Sequence, residues 1–248
     1  LSTGLFYVPA NYAATAEVIE LAKVAGRYGG IHQSHMRNEA DGVLDSVRET
    51  IAIGELGGLP TQVTHHKIIG KSNWGRSVET LKLVDEARAR GVDVSIDQYP
   101  YTASSTSFEG AMVPQWAQEG GRAKMLTRFD DPALAARLRL EIANLIENDR
   151  GGGDPANVVL TSCDFDPAMA GKNLAQLLIQ RQQPVTFAAG ADLVIEIARK
   201  GRAVIVPAAS FKGFASDDRN DLVLAKAIPG QPLRYYVGAG WSKAGEFK

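Results

Sequence analysis

Four histidines, His32, His35, His65 and His66, are the imidazoles of this 248-residue chain. They fall in two short strings, IHQSHMRNE and VTHHK, each at or near the end of a β-like run. A neutral imidazole nitrogen is a ligand that zinc takes at about 2.0–2.1 Å. His35 ends one predicted strand and His65 ends the next. In a parallel α/β protein the C-terminal strand ends face the active site. Two neighbouring strand ends therefore present imidazoles on one rim, an arrangement that suits a Zn²⁺ ion. The bland alternative is a set of polar residues at strand ends. It holds best for His32, which strand alternation turns away from His35, and for His66, which points away from His65.

The elements that must position such a pair are legible in the first hundred residues. A candidate strand precedes Thr15, a plausible N-cap, with Glu17 in the first helical turn. Val18, Leu21, Ala22 and Ala25 follow at helical spacing, and Gly29-Gly30 ends the segment. The spacing predicts strands over Ile31–His35, Thr61–His65 and Val92–Asp97. It predicts helices carrying Leu44, Val47 and Ile51, then Val78, Leu81, Val84 and Ala87. Units of roughly 30 residues match a βαβ rhythm, and so a parallel sheet covered by helices. A closed (β/α)8 barrel and an open doubly wound sheet both fit. A whole barrel needs about 250 residues, so four clear units suggest part of one.

The rhythm breaks at 104–156, which contains one amphipathic helix, Ala133–Ile146, and the loop Gly151-Gly152-Gly153-Asp154-Pro155. Asn157–Ser162 and Ala203–Val206 read as strands, and Leu174–Ile179 and Ala191–Arg199 as helices. From 206 the character shifts towards β, with strand-like runs at Leu222–Ile228 and Tyr235–Val237. Hydrophobic residues make up 45% and charged residues 22%, enough for a real core. A net charge of -1, with no basic stripe, finger or aromatic platform, argues against nucleic acid. No apolar run reaches the roughly 18 residues of a membrane span. Gly-rich strings such as GGGDP lack the framing of a nucleotide site. The single cysteine, Cys163, excludes an internal disulfide and reads as a small core residue. A cytoplasmic location fits, and so does the periplasm. The sequence opens mid-pattern without Met, as a fragment would.

The strings LSTGLFYVPA, GGIHQSHMRNEADG, THHKIIGKSNWGRS and DQYPYTASST, in this order and spacing, resemble those of the D-aminoacylases. These are the N-acyl-D-amino-acid deacylases of the amidohydrolase superfamily. The resemblance covers about residues 1–106 well and 157–205 more weakly, where AMAGKNLAQLL is similar to a family segment, and ends near 206. It implies a partial TIM-like (β/α)8 metallo-hydrolase barrel over 1–205, with 104–156 inserted between barrel strands and 206–248 as a β-rich tail. It implies that His35 and His65 are the two strand-borne zinc ligands, separated by 65 − 35 = 30 positions as in the family. It further implies that Tyr7 and Lys67 contact the substrate, with Lys67 pairing with an α-carboxylate. Arg37 is an alternative carboxylate clamp on the same rim.

The family's HxH pair and bridging cysteine would lie upstream of this chain. Its catalytic aspartate, in a Ser-Asp-Gly string, is matched loosely by Asp217 in FASDDRN, which lacks the glycine. The implied reaction is zinc-dependent hydrolysis of N-acyl-D-amino acids, small-molecule substrates, to a carboxylate and a D-amino acid. Zinc would polarise the acyl carbonyl and lower the pKa of water, and a carboxylate would carry the proton to the leaving amine. Two histidines leave zinc under-coordinated, so the chain alone is expected to bind zinc weakly or not at all and to be inactive. Two alternatives are a related amidohydrolase opening cyclic amides and a non-catalytic, truncated or chimeric barrel fragment. The distinct tail YYVGAGWSKAGEF favours the latter.

Overall fold

Polar residues fill the strands at the centre of this protein, and their hydrogen bonds explain why they can. The computed structural model describes residues 1–99 and 103–207, with short strands at 211–212, 236–237 and 240–241. Strand β1 (Ser2–Gly4) leads to helix α1 (Thr15–Arg27), β2 (His32–His35), α2 (Val43–Gly57) and β3 (Thr61–Val63). A two-residue strand β4 (Ile68–Ile69), helix α3 (Ser77–Ala89) and β5 (Val94–Ile96) follow. β1, β2, β3 and β5 pair in that order, all parallel, with His32 opposite Thr61 and His35 opposite Gly4. The α/β alternation is thus as the sequence suggested, with β2 one residue shorter at its start, β3 two shorter at its end, and β5 two shorter at its start and one at its end than the expected strands.

On the helix side of the sheet, buried His32 bridges two strands. Its Nε2 lies 3.0 Å from Thr3 Oγ1 and its Nδ1 2.8 Å from Thr61 Oγ1, while Thr61 Oγ1 also donates to the Thr50 carbonyl at 3.3 Å. Each buried polar group is thereby paired, as burial demands. α2 approaches closely because it is glycine-rich on that face. A Cβ at Gly54 would lie 2.6 Å from Thr61 Cβ, and one at Gly57 would lie 2.6 Å from Ala22 Cβ. Gly58 then ends α2 in the left-handed region, at φ 67. Val47, Ile51, Val63, Val84 and Val94 form the core between helices and sheet.

Three local expectations fail. Helix α1 begins at Thr15, but its N-cap is Ala14, and the Thr15 hydroxyl donates to Glu49 at 2.7 Å instead. Leu21 and Val78, counted on the buried stripes of α1 and α3, are 52% and 70% exposed. The buried stripes are narrower, with Val18 and Ala22 on one helix and Thr80, Val84 and Ala87 on the other, because the sheet covers only part of each helix.

Beyond residue 103 the chain builds a second layer. Strand β6 (Thr106–Ser107) leads into short helices α4 (Phe108–Met112) and α5 (Gln115–Gln118), then α6 (Arg122–Asp130) and α7 (Pro132–Asn148). Strand β7 (Val158–Cys163), helices α8 (Leu174–Gln180) and α9 (Phe187–Lys200) and strand β8 (Ala203–Pro207) complete it. Asp131, Asn173 and Thr186 cap α7, α8 and α9 through their side chains, and Cys163 is buried in the core. The sequence reading carried barrel strands on to 205. Here β7 and β8 pair antiparallel with each other, and β8 with β6, in a sheet separate from the parallel one. β7 buries Val158 and Leu160 and exposes Thr161 and Ser162, the half-covered pattern of an antiparallel sheet. Strand β9 (Phe211–Lys212) pairs antiparallel with β4, and β10 (Tyr236–Val237) with β11 (Gly240–Trp241). The run 222–228 and Asp217 lie outside the described residues.

His32 gives the fold a pH dependence. Burial lowers its pKa from 6.5 to about 4, so the folded state binds fewer protons than the unfolded chain between those values. Stability is full above the unfolded value and falls as pH drops from 6.5 towards 4, by up to about 1.4 kcal/mol per pH unit. His66, whose pKa burial lowers to about 3, and His35, lowered by burial, add slopes of the same sign, so urea denaturation across that range should show their sum and His32→Gln should remove the His32 share. An unchanged slope in the variant would contradict the assignment.

Candidate metal centre

β2 delivers His35 to the rim directly, as its last residue. His65 arrives differently. β3 ends at Val63, and His65 itself adopts a left-handed backbone, φ 41, a conformation that costs a side-chain-bearing residue roughly 1–3 kcal/mol. It is held there by Asp97, whose carboxylate accepts the His65 backbone N–H and whose carbonyl accepts that of His66 at 2.8 Å. The same carboxylate accepts from Gln62, whose Oε1 accepts from Gln33 at 3.4 Å. This polar ladder, on the face opposite His32, fixes the turn that aims His65.

The result is a meeting of two rings. His35 Nδ1 and His65 Nε2 are in direct contact, with ring centroids 4.3 Å apart and planes inclined at 57°. Burial, and secondly the neighbouring His65, lower the pKa of His35 and favour its neutral, lone-pair-bearing form. Tyr7 stands edge-on to His35 at 5.7 Å between centroids, its hydroxyl 3.2 Å from Thr106 Oγ1. Tyr99 lies 6.3 Å from His65, its phenol pKa raised by burial and then by Glu39.

Lys67 is buried beneath His65. Its Nζ donates to Glu39 Oε1 at 2.5 Å, lies 2.7 Å from His65 Nδ1 and reaches the His65 carbonyl at 3.2 Å. Burial lowers its pKa, and Glu39 opposes that. Glu39 is 5% exposed. Burial raises its pKa, but Lys67, His65 and Arg150 together hold it well below the usual carboxylate range. Arg150 comes from the second layer, just after α7. It stacks at 4.7 Å over Phe6, with Nη2 3.6 Å from Glu39 Oε2 and Nε 3.4 Å from Asp149 Oδ1. The chain can tuck in here because Gly151 packs on the Ile146 carbonyl, where a Cβ would sit 2.1 Å from the oxygen.

Of the six residues singled out by sequence, His35, His65, Tyr7 and Lys67 are brought together. Arg37 is not available as a carboxylate clamp. Its Nε and Nη2 pair with Glu49 at 3.0 and 2.7 Å, Nη2 also reaches the Ala13 carbonyl at 2.9 Å, and Nη1 bonds the Asn11 carbonyl. It locks the loop after β1 to α2. Asp217 lies outside the described residues. Sequence reading missed Glu39, Asp97 and Arg150. Glu39, four residues after His35, carried a weak signal as a carboxylate beside a ligand candidate, whereas Arg150 sat in what read as a plain loop.

Imidazole nitrogens are suitable zinc donors, and two of them point at one place. Among the described residues no group of three or more His, Cys, Asp or Glu side chains is arranged to hold a metal ion. The pair thus fits zinc as part of a ligand set, since catalytic zinc sites use about three protein ligands.

No family model matches the chain. Known proteins do. The chain is 41% identical over 142 residues to an N-acyl-D-glutamate deacylase of Alcaligenes xylosoxydans xylosoxydans, which covers 57% of the chain and 28% of that protein. It is 46% identical over 109 residues to a D-aminoacylase of the same organism, covering 44% of the chain and 22% of that protein. The chain is similar to the D-aminoacylases over part of their length. Among solved structures, the N-acyl-D-glutamate deacylase of Bordetella bronchiseptica, complexed with zinc and a phosphonate mimic of the tetrahedral intermediate, superposes with a TM-score of 0.57. The match has 31% identity and covers 82% of this chain and 34% of that one. A D-aminoacylase structure described as defining a novel subset of amidohydrolases matches equally, TM-score 0.57, at 30% identity over 84% of this chain and 34% of its own. A further D-aminoacylase structure is described by its binuclear metal centre. The matches cover 21–28% of the length of the curated relatives. No helix among the described residues is long and apolar enough to cross a membrane.

If Arg37 is a structural tether, Arg37→Ala should lower stability by about 1–3 kcal/mol in urea denaturation, because Glu49 loses its partner in a half-buried setting. It should leave zinc affinity unchanged. Full stability with weakened binding of an N-acyl amino acid would restore the clamp reading.

Proposed function

We propose that this chain forms part of a (β/α)8 amidohydrolase barrel, and that the protein to which this architecture belongs hydrolyses N-acyl-D-amino acids. The observation that carries the reading is the convergence of His35 Nδ1, at the end of β2, and His65 Nε2, in the turn just after the adjacent parallel strand β3. The parallel sheet, the metal-bearing deacylase relatives and the tyrosines flanking the pair support it. His35 and His65 would hold the metal. When bound, zinc supplies Lewis acidity, polarising an acyl carbonyl and lowering the pKa of water.

The chain's own residues do the rest. Asp97 and the left-handed turn keep the His65 ring on the rim. Tyr7 walls the space beside His35 and, with its hydroxyl near Thr106, offers a hydrogen bond to a bound acyl group. Lys67 would pair with a substrate carboxylate only by giving up contacts to Glu39 or His65, since three groups already occupy its ammonium. The proton-transfer role is assigned to Asp217 on sequence alone. The described residues supply two metal ligands, so the chain by itself is proposed to bind zinc weakly and to leave N-acyl-D-amino acids intact.

The test is zinc titration of the chain with a competing chromophoric chelator, beside an assay with N-acetyl-D-glutamate and N-acetyl-D-methionine. Weak zinc binding that His35→Ala and His65→Ala each weaken by about tenfold or more, with no deacylation, is expected. Binding that neither variant changes would end the reading. Tight binding of one zinc per chain with deacylation would overturn the incomplete site.

A further inference from the structure

His65 has two ring nitrogens, and a metal ligand can bind through only one while the other carries the proton. The nitrogen facing His35 is Nε2, so zinc binding there requires the proton on Nδ1. A protonated Nδ1 needs an acceptor. Lys67 Nζ, 2.7 Å away, is a donor when charged and cannot serve. Glu39 Oε1 is 3.3 Å from the same Nδ1. We infer that Glu39 is a positioning residue that accepts the His65 Nδ1 proton and so fixes the ring in its metal-binding tautomer. The inference rests on the zinc reading proposed above and extends it to a residue that touches neither metal nor substrate.

The geometry around Glu39 suits that task better than simple charge balance. Its two oxygens face different cations. Oε1 accepts from Lys67 at 2.5 Å, and Oε2 faces Arg150 at 3.6 Å. Those contacts fix the carboxylate plane and leave Oε1 at the ring nitrogen. Backbone supports the placement, for the Glu39 carbonyl accepts the Ile69 N–H at 2.7 Å and so ties the loop after β2 to β4. Arg150 enters from the second layer, so the antiparallel unit takes part in orienting a ligand of the parallel one. Binding zinc at Nε2 would displace the Lys67 hydrogen bond from Nδ1 in favour of Glu39, so zinc and Lys67 compete for the state of one ring.

The test uses the full chain with zinc alone as probe. Zinc affinity is measured by chelator competition, and the protonated nitrogen of His65 by side-chain ¹⁵N–¹H NMR of the zinc-loaded protein. Glu39→Gln should weaken zinc about 10–100-fold, the range for removing a hydrogen-bond partner of a ligating histidine. Because that variant leaves two buried cations short of a counter-charge, Glu39→Asp is the second variant. It keeps the charge for Lys67 and Arg150 but withdraws the oxygen from His65. It should stay folded, still weaken zinc several-fold, and, in the zinc-loaded protein, speed solvent exchange of the His65 Nδ1 proton and shift its signal upfield of the wild-type position, because the accepting oxygen has withdrawn. A folded Glu39→Asp with wild-type zinc affinity and a wild-type Nδ1–H shift and exchange rate would overturn the inference while the site reading stands. Wild-type zinc binding that is absent, or indifferent to His65→Ala, would overturn the site reading and this inference with it.

Discussion

Two imidazoles borne by different strands can meet only if both strands end on the same rim, and parallel pairing of β2 on β3 enforces that. The register sets His32 opposite Thr61 and Ser34 opposite Val63, so His35, the last residue of β2, lies beside the turn that follows β3. Alternation along β2 then sends His35 to the rim and His32 to the helix side, where threonines satisfy it. The remaining features serve this juxtaposition. Glycines in α2 let the helix lie close enough to bury that threonine–histidine bridge, and Asp97 on β5's exit holds His65 in an unfavoured backbone state. A strained residue kept by specific hydrogen bonds at a rim of convergent imidazoles is the pattern of a functional site.

Electrostatics sets the second constraint. Glu39, Lys67 and Arg150 are charged groups almost without solvent, and each is tolerable only because the others are present. Such a cluster is costly to build and adds little net stability over apolar packing, so its presence beside His65 points to a role in orientation. It also joins the two layers. Arg150 belongs to a segment whose own core, around Phe108, Ile142 and Leu160, is separate from that of the parallel sheet.

The parallel sheet, its helices and the histidine pair were legible in the sequence, because period and strand-end chemistry are local properties. So were α7, α8 and α9, which carry conventional caps. The orientation of β7 and β8 was not, since a short apolar run looks alike in a parallel barrel and an antiparallel sheet. Arg37 misled for a related reason. Its position on the rim is visible in the sequence, but Glu49, which occupies it, comes from the next helix. Glu39 and Arg150 meet across 111 positions of chain, a pairing that spacing alone does not announce.

The most direct test of shared cation binding is a crystal of the chain grown or soaked with zinc and measured at the zinc absorption edge. The account predicts one anomalous peak about 2.0–2.1 Å from both His35 Nδ1 and His65 Nε2. A map with no peak between those two nitrogens, or with zinc bound elsewhere on the chain, would contradict it.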